Sequence, residues 1–280
     1  MVIAVCSVKG SPGVTTLSVA LAARWPTSGR PVVVECDPSG GSLAARFGLT
    51  AAPGLVSLTA AARQNRDLML LWAHTQALPG GLPVVVAPPG ADYTRAALTT
   101  LLDTRRSSLS VLRGATTQRP GSVVIADCGR LDAVSPALAI AREADRVVLL
   151  ARSRADELSH LAAALSMVDL WAMRPSLVLV GPGYPASEVT RELGIPVLAQ
   201  IPHDDPGARA LCGLPRRSRG PARSPLGQAA HTLARALLTP SVPMAGIRGS
   251  GHPSAAEHPA ASETSWLLPR RNGARVEGRP

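Results

Sequence analysis

The stretch that most constrains the fold of this chain is a glycine turn close to its start. Val2–Val5 is apolar and rich in strand-forming residues, and the pattern from Thr15 to Trp25 predicts a helix that Pro26 ends. Between them lies the turn Val8–Thr16, with the sequence VKGSPGVTT. A strand, a glycine turn and a helix in this order form the context of a phosphate-binding loop, in which backbone N–H groups and the helix N-terminus surround an anion.

The turn does not fit the standard phosphate loop, G-x-x-x-x-G-K-[ST]. That pattern places a lysine directly after the second glycine, and here Val14 follows Gly13. Lys9 lies instead at the start of the turn, and it is the only lysine among the 29 basic residues of the chain. A compact ammonium suits a tight phosphate loop better than a planar guanidinium does. The alternative is an ordinary surface lysine in a strand–helix turn.

Two later strands end in acidic residues. Pro31–Val34 is followed by Glu35 and Asp37 and by the breakers Pro38–Gly41. Asp37 alone would be interpreted as a residue that caps its own turn. Ser122–Ala126 is a second apolar run, and it ends in Asp127. A buried strand with a carboxylate at its end is the pattern of a Walker B motif, whose aspartate holds Mg²⁺ beside the phosphates.

These segments together resemble the ParA/MinD family of P-loop ATPases, whose deviant Walker A motif is K-G-G-x-G-K-T-T. Lys9 takes the place of the family's signature lysine, while Ser11 replaces a glycine and Val14 replaces the P-loop lysine. The acidic turn is similar to the family's D-x-D-P-x-G segment. Ile201–Asp204 looks like the late I-P-x-D loop that lies over the base, but Gly181–Gly183 occupies the place of an asparagine that contacts adenine.

The resemblance implies an α/β architecture, a P-loop NTPase fold with a mostly parallel sheet and helices on both faces. It implies ATP and Mg²⁺ as cofactors. It assigns catalytic roles to Lys9 and Asp37, the latter by positioning the attacking water, and metal binding to Thr15 and Asp127. The implied nucleotide-binding residues are those of the turn and of the late loop: Gly10, Ser11, Pro12, Gly13, Val14, Thr15, Thr16 and Pro202.

Family members are ATP-driven dimers that position chromosomes, plasmids, septa or pili, and the signature lysine reaches into the partner's nucleotide. Lys9 therefore implies a homodimer or a heterodimer with another family member. Loss of the contact that Val14 cannot make costs about 1.5–3 kcal/mol, or roughly ten- to 150-fold in affinity. Because the missing charge lies where charge develops in the transition state, we expect weak hydrolysis with binding retained. The alternatives are a nucleotide-independent scaffold and a DNA-binding accessory protein.

Composition limits the core and the partners. Hydrophobic residues make up 46% of the chain but aromatic residues only 2%, so the core must consist of Ala, Val and Leu, which suits buried parallel strands. The net charge of +10 favours acidic partners such as nucleic acid or anionic lipid, unless it reflects only a general preference for arginine. The segment Arg216–Arg223 is the candidate for nonspecific DNA binding, with a plain solvated loop as its alternative.

The pattern predicts a P-loop domain over residues 1–239 and a disordered Pro/Gly/Ser-rich tail over 240–280. The tail offers one short apolar stretch, Trp266–Leu268, which indicates membrane contact only weakly. No leader or membrane-spanning run is visible, so we expect a cytoplasmic protein. Further elements are predicted as strands at 82–87, 145–150, 176–180 and 196–201, as a helical pattern with breaks over 92–113, and as helices at 155–170 and after Ser224.

Two further predictions concern single residue types. His203 is expected to be an exposed loop residue, because no partner histidine or cysteine is near it in the sequence. Cys6, Cys36 and Cys128 each lie at or near the carboxyl end of a predicted strand. Our hypothesis is that the three thiols cluster near the phosphate site and make it redox-sensitive; the alternative is that they are small buried side chains.

Overall fold

The computed structural model describes residues 1–10, 12–26, 28–65, 67–102, 110–171, 175–211 and 221–239. Contacts within Met1–Thr239 group these residues into one compact unit. Ser11, most of the basic segment Arg216–Arg223 and the tail 240–280 lie outside the described residues. The predictions made for them therefore stay predictions.

A single sheet of eight strands forms the centre of the protein. In chain order the strands are β1 Val2–Ser7, β2 Arg30–Glu35, β3 Gln76–Ala77, β4 Pro83–Val85, β5 Ser122–Arg130, β6 Arg146–Arg152, β7 Pro175–Val180 and β8 Val197–Ile201. Their spatial order is β3-β4-β2-β5-β1-β6-β7-β8, and every neighbouring pair is parallel except β3 with β4. This is the predicted α/β fold with a mostly parallel sheet.

Strand β1 lies in the middle of the sheet and is buried along its whole length. On one side Val2 to Val5 pair with Val124 to Asp127 of β5, and on the other Ile3 to Ser7 pair with Arg146 to Leu150 of β6. Continuous runs of Val, Ile and Ala are expected where both faces of a parallel strand are covered. This register brings the carboxyl ends of β1, β5 and β6 to the same edge of the sheet.

The helices within the described residues are α1 Val14–Ala23, α2 Leu43–Phe47, α3 Leu55–Gln64, α4 Leu70–Ala73, α5 Ala91–Leu101, α6 Ser110–Thr117, α7 Leu138–Glu143, α8 Ala155–Trp171, α9 Ala186–Leu193, α10 Asp205–Leu211 and α11 Pro225–Leu238. From β1 the chain moves toward one side of the sheet to reach β2, whereas from β6 it moves toward the other side to reach β7. Right-handed crossovers therefore place α1 and α8 on opposite faces of the sheet. None of the helices in the described ranges has the length and apolarity needed to cross a bilayer.

Most predicted elements occur within a few residues of their expected bounds. The helical pattern over 92–113 is divided between α5 and α6, and residues 103–109 between them are not described. Ser224 caps α11 as predicted, since its Oγ accepts a hydrogen bond of 3.0 Å from the N–H of Gly227. Helix α11 packs against α1, and both contribute to the main hydrophobic core.

Glu35, the first acidic residue of the turn after β2, joins three segments of backbone. Its side chain is 1% exposed and accepts hydrogen bonds from the N–H groups of Ser42 (2.6 Å), Leu43 (2.9 Å) and Ala87 (2.9 Å). Burial raises the pKa of Glu35, while the three N–H groups act in the opposite direction. Glu35 therefore fixes the loop after β2 against the end of β4, beside the binding edge of the sheet.

We expect Glu35→Ala to lower the free energy of unfolding by about 3–5 kcal/mol, because three buried N–H groups lose their acceptor. Glu35→Gln keeps one acceptor oxygen and the same shape, so its loss should be about half as large. Urea denaturation at neutral pH measures both. Equal stability of the alanine variant and the unchanged protein would show that water replaces the carboxylate and that Glu35 does not hold these segments together.

Candidate nucleotide and magnesium site

The turn between β1 and α1 has the backbone of an anion-binding loop. Gly10 and Gly13 have φ angles of +66° and +101°, in the left-handed region that only glycine adopts easily. Gly13 is the N-cap of α1, whose first residue is Val14. Left-handed residues in such a turn direct successive N–H groups to one side, and the helix N-terminus adds partial positive charge.

Thr15 and Asp127 meet directly beside this turn. The Thr15 side chain is close enough to the Asp127 carboxylate to lower its pKa by hydrogen bonding, and the carboxylate accepts a bond of 3.3 Å from the N–H of Gly129. Asp127 is 1% exposed and pairs with Val5 across β1 and β5. The two residues predicted as magnesium ligands thus lie close together in the folded chain.

Two further carboxylates face Asp127. Glu35 pairs with it across β2 and β5, and Asp37 follows two residues later. Burial raises the pKa of Asp127 to about 7, and the negative charges of Glu35 and Asp37 act in the same direction. A buried carboxylate and a hydroxyl beside an anion-binding turn are donors that fit Mg²⁺. Within the described ranges no three His, Cys, Asp or Glu side chains are gathered to hold a metal by themselves, so phosphate oxygens and water would complete the coordination.

Asp37 is half-buried at the edge of this site. Its Oδ1 accepts a hydrogen bond of 2.8 Å from the N–H of Ser39, which is the turn-capping contact that the sequence offered as an alternative role. The carboxylate also lies against Gly129, where an added Cβ would approach it to 2.1 Å. Gly129 has a φ of +58°, so a side chain there would be strained as well as obstructed. Asp37 is therefore held next to the end of β5.

Val14 takes the position of the P-loop lysine but is buried. Its side chain is 7% exposed and belongs to the hydrophobic core that includes Ile3 and Leu17. Lys9 is exposed at the start of the turn. The helix position that carries the lysine in a standard phosphate loop therefore contributes apolar packing here.

A cleft of about 130 Å³ opens on the Gly13 side of the turn. Pro12, Gly13 and Thr16 form one wall, and the predicted loop Pro202–Asp205 forms the other. The loop is fixed by Asp204, whose two carboxylate oxygens accept hydrogen bonds from the N–H groups of Gly207 (2.9 Å) and Leu226 (3.0 Å). Pro202 thus shares one cleft with the turn.

His203 is an exposed loop residue, as predicted. Its side chain is 66% exposed, and its Nε2 lies 3.6 Å from Oδ1 of the exposed Asp205. This pair lies at the rim of the cleft and has the solvent access of an ordinary surface contact.

Cys6 on β1, Cys128 on β5 and Cys36 directly after β2 are buried free thiols. Cys6 and Cys36 are close enough to Cys128 for both to raise the pKa of its thiol. Burial raises all three pKa values, that of Cys6 to about 12. Because the thiolate is the reactive form, these thiols are poor redox sensors, and the alternative of small buried side chains fits their environment better.

One ion pair beside the turn was not predicted. Arg152, the last residue of β6, and Glu157, in the first turn of α8, are joined by a contact of 3.0 Å between Nη1 and Oε1. A Cβ added at Gly10 would lie 3.1 Å from the same Oε1. Neither residue belongs to a motif of the turn. One feature of the sequence could have indicated this pair: an acidic residue in the first turn of α8, the helix that follows β6, which lies next to β1.

The fold is shared with solved structures of one class of ATPase. The chain superposes on a ParA family ATPase from Chlorobium tepidum with a TM-score of 0.66 and 17% sequence identity, covering 84% of this chain and 97% of that one. The chain has the fold of the ParA/MinD ATPases. The cell division ATPase MinD of Pyrococcus furiosus gives a TM-score of 0.59 at 19% identity, over 84% of this chain and 97% of that one.

A complex of a Cyanothece McdA variant with ATP is also similar, with a TM-score of 0.60 and 14% identity over 84% of this chain and 95% of that one. No family model matches the chain, and no curated protein is similar in sequence. The ParA/MinD fold is therefore recognised here by its three-dimensional arrangement, at sequence identities below one in five.

The raised pKa of Asp127 predicts a pH dependence of stability. A carboxyl group whose pKa is higher in the folded state binds its proton more tightly there, so folding loses stability as the pH rises from about 4 to 7. We expect about 3–4 kcal/mol of loss from Asp127 without bound cation. In Asp127→Asn this loss should be absent, although the smaller contribution of Glu35, which has the same sign, remains.

Urea unfolding between pH 5 and 8.5 measures this difference in slope. Asp132→Asn, on the loop after β5, is the matched control and should keep the slope of the unchanged protein. Parallel curves for Asp127→Asn and the unchanged protein would mean that Asp127 is ionised at neutral pH without penalty.

Proposed function

We propose that this protein binds ATP with Mg²⁺ at the turn between β1 and α1 and acts in intracellular positioning or partitioning, in the manner of ParA and MinD. The observation that carries the proposal is the contact of Thr15 with the buried Asp127 directly beside the Gly10–Gly13 turn. The similar structures add to it, since they include a ParA family ATPase, a cell division ATPase and a protein in complex with ATP.

Each part of the site has a task in this proposal. Backbone N–H groups of the turn and the N-terminus of α1 receive the phosphates. Thr15 and Asp127 would hold Mg²⁺, which would supply positive charge to the phosphate oxygens. Asp37 orients the attacking water by hydrogen bonding. The cleft between Gly13 and Pro202 receives the base, and its apolar wall of Leu150, Val180 and Ile201 suits a flat ring.

Hydrolysis is proposed to be weak because Val14 brings no charge to the phosphates. The turn and the metal ligands bind the ground state, whereas the lysine of a standard loop acts mainly on the charge that develops in the transition state. Lys9 is exposed at the start of the turn, where the family's signature lysine crosses to a partner. We therefore propose a nucleotide-dependent dimer, formed with a second copy or with another protein of this fold.

A nucleotide-independent scaffold is the second candidate. The burial of Val14 in the core favours it, since that packing removes the one side chain on which phosphate binding usually depends. The third possibility, nonspecific DNA binding by Arg216–Arg223, depends on residues that lie mainly outside the described ranges. Binding that depends on Mg²⁺ separates the first candidate from both others.

We expect a fluorescent ATP analogue to bind the purified protein with micromolar affinity in Mg²⁺ and at least tenfold more weakly in EDTA. Asp127→Asn should abolish the Mg²⁺ effect because the metal loses its carboxylate ligand, while Asp132→Asn should retain it. Equilibrium titrations of the unchanged protein, Asp127→Asn and Asp132→Asn, each with and without Mg²⁺, measure these affinities. Absence of binding up to millimolar analogue in the unchanged protein would exclude ATP and favour the scaffold.

Val14→Lys should tighten the binding of Mg²⁺–ATP by roughly ten- to 150-fold, the value of one charge-assisted contact. It should also produce measurable phosphate release. Val14→Met is the matched control, because it supplies a similar stem without the charge. It should neither tighten the binding of Mg²⁺–ATP nor produce phosphate release. If both variants bind like the unchanged protein, the side chain at position 14 does not reach the phosphates and Val14 is not the reason for weak hydrolysis.

A further inference from the structure

The pair formed by Arg152 and Glu157 lies against the start of the phosphate-binding turn. Glu157 is 4% exposed, and its Oε1 is the nearest atom to the place where a side chain on Gly10 would begin, at 3.1 Å. Arg152 contacts the same carboxylate twice: its backbone N–H donates to Oε2 (2.8 Å) and its Nη1 donates to Oε1 (3.0 Å). The Glu157 carboxylate is therefore bound by both the backbone and the guanidinium of Arg152.

The sheet register explains why this pair meets the turn. Ser7, the last residue of β1, pairs with Leu150 of β6, so Arg152 lies two residues further along, at the edge from which the turn leaves the sheet. The side chain of Arg152 is 42% exposed, whereas that of Glu157 is 5% exposed. The cation of the pair is thus the member that an arriving solute can reach.

The electrostatics of the turn require such a cation. A buried carboxylate at the start of an anion-binding turn repels phosphate, and Val14 supplies no compensating charge. Arg152 neutralises Glu157, and a guanidinium has five N–H donors, which allows one group to hold a carboxylate and a phosphate together. Lys9 is exposed at the start of the turn and is assigned above to a partner's site.

We propose that Arg152 supplies in cis the positive charge that the P-loop lysine would provide, with Glu157 as the positioning residue that orients it. This inference rests on the proposed function of ATP binding. The base is assigned to the cleft on the Gly13 side of the turn, while Arg152 and Glu157 lie at the Gly10 side. Arg152 therefore contacts the phosphate end farthest from the base, and it distinguishes a triphosphate from a diphosphate.

The test compares the affinities of Mg²⁺–ATP and Mg²⁺–ADP by equilibrium titration of the full-length chain. Arg152→Ala with Glu157→Gln removes the cation without leaving a buried unpaired carboxylate. We expect this double variant to bind ATP about ten- to 150-fold more weakly and ADP less than threefold more weakly. Arg152→Lys should recover most of the ATP affinity. Arg154→Ala, an exposed arginine of the same segment, should change neither affinity.

The outcomes separate this inference from the function on which it rests. If the unchanged protein binds neither nucleotide up to millimolar concentration, the proposed function fails, and the inference fails with it. If the unchanged protein binds ATP and the double variant binds it equally well, the inference alone is overturned. An equal loss of ATP and ADP affinity also overturns it, since Arg152 would then act on the turn and not on the terminal phosphate.

Discussion

A carboxylate buried next to the central strand is the constraint on which the site depends. Asp127 has almost no contact with water, and among the described residues the Thr15 side chain and the N–H of Gly129, at 3.3 Å, offset part of the cost of its burial. Burial of an incompletely solvated carboxylate is costly, and proteins reduce the cost by protonation, by a partner charge or by a bound cation. The neighbouring Glu35 and Asp37 increase that cost. The position therefore makes sense as one that a divalent cation completes.

Glu35 and Asp127 show how two paired carboxylates take different roles. They face each other across β2 and β5, and both are about 1% exposed. Glu35 is bound by three backbone N–H groups and is fully used in holding loops together. Asp127 points toward the Thr15 hydroxyl and keeps lone pairs for another partner. The sequence showed only that both residues lie at the acidic ends of strands. The structural role of Glu35 becomes visible only from the N–H groups that bind it, one of which, that of Ala87, lies far along the chain.

Local patterns were enough to predict the fold, and they also selected the residues of the candidate site. The strand–turn–helix of residues 2–25 and the apolar run before Asp127 depend on neighbouring residues, so their periodicity predicts them, and their order along the chain identified the fold. The Arg152–Glu157 pair could not be found in this way, since it acquires meaning only when β6 lies beside β1. Roles that depend on a bound nucleotide, such as those of Lys9 and Asp37, follow neither from the sequence nor from the structure and stay predictions.

The burial of Val14 and the position of Arg152 have a common explanation. A lysine at the first position of α1 must leave its stem along the turn, whereas valine at that position fills the core under β1 and adds apolar contact. The core gains packing and the turn loses a charge. A cation on β6 restores charge from a different direction, at the beginning of the turn and not at the helix N-terminus. Because Coulombic attraction falls with distance, this relocation strengthens contact with the terminal phosphate more than with the phosphates nearer the base. Under the proposed function, such a site is better arranged to recognise a triphosphate than to stabilise its cleavage.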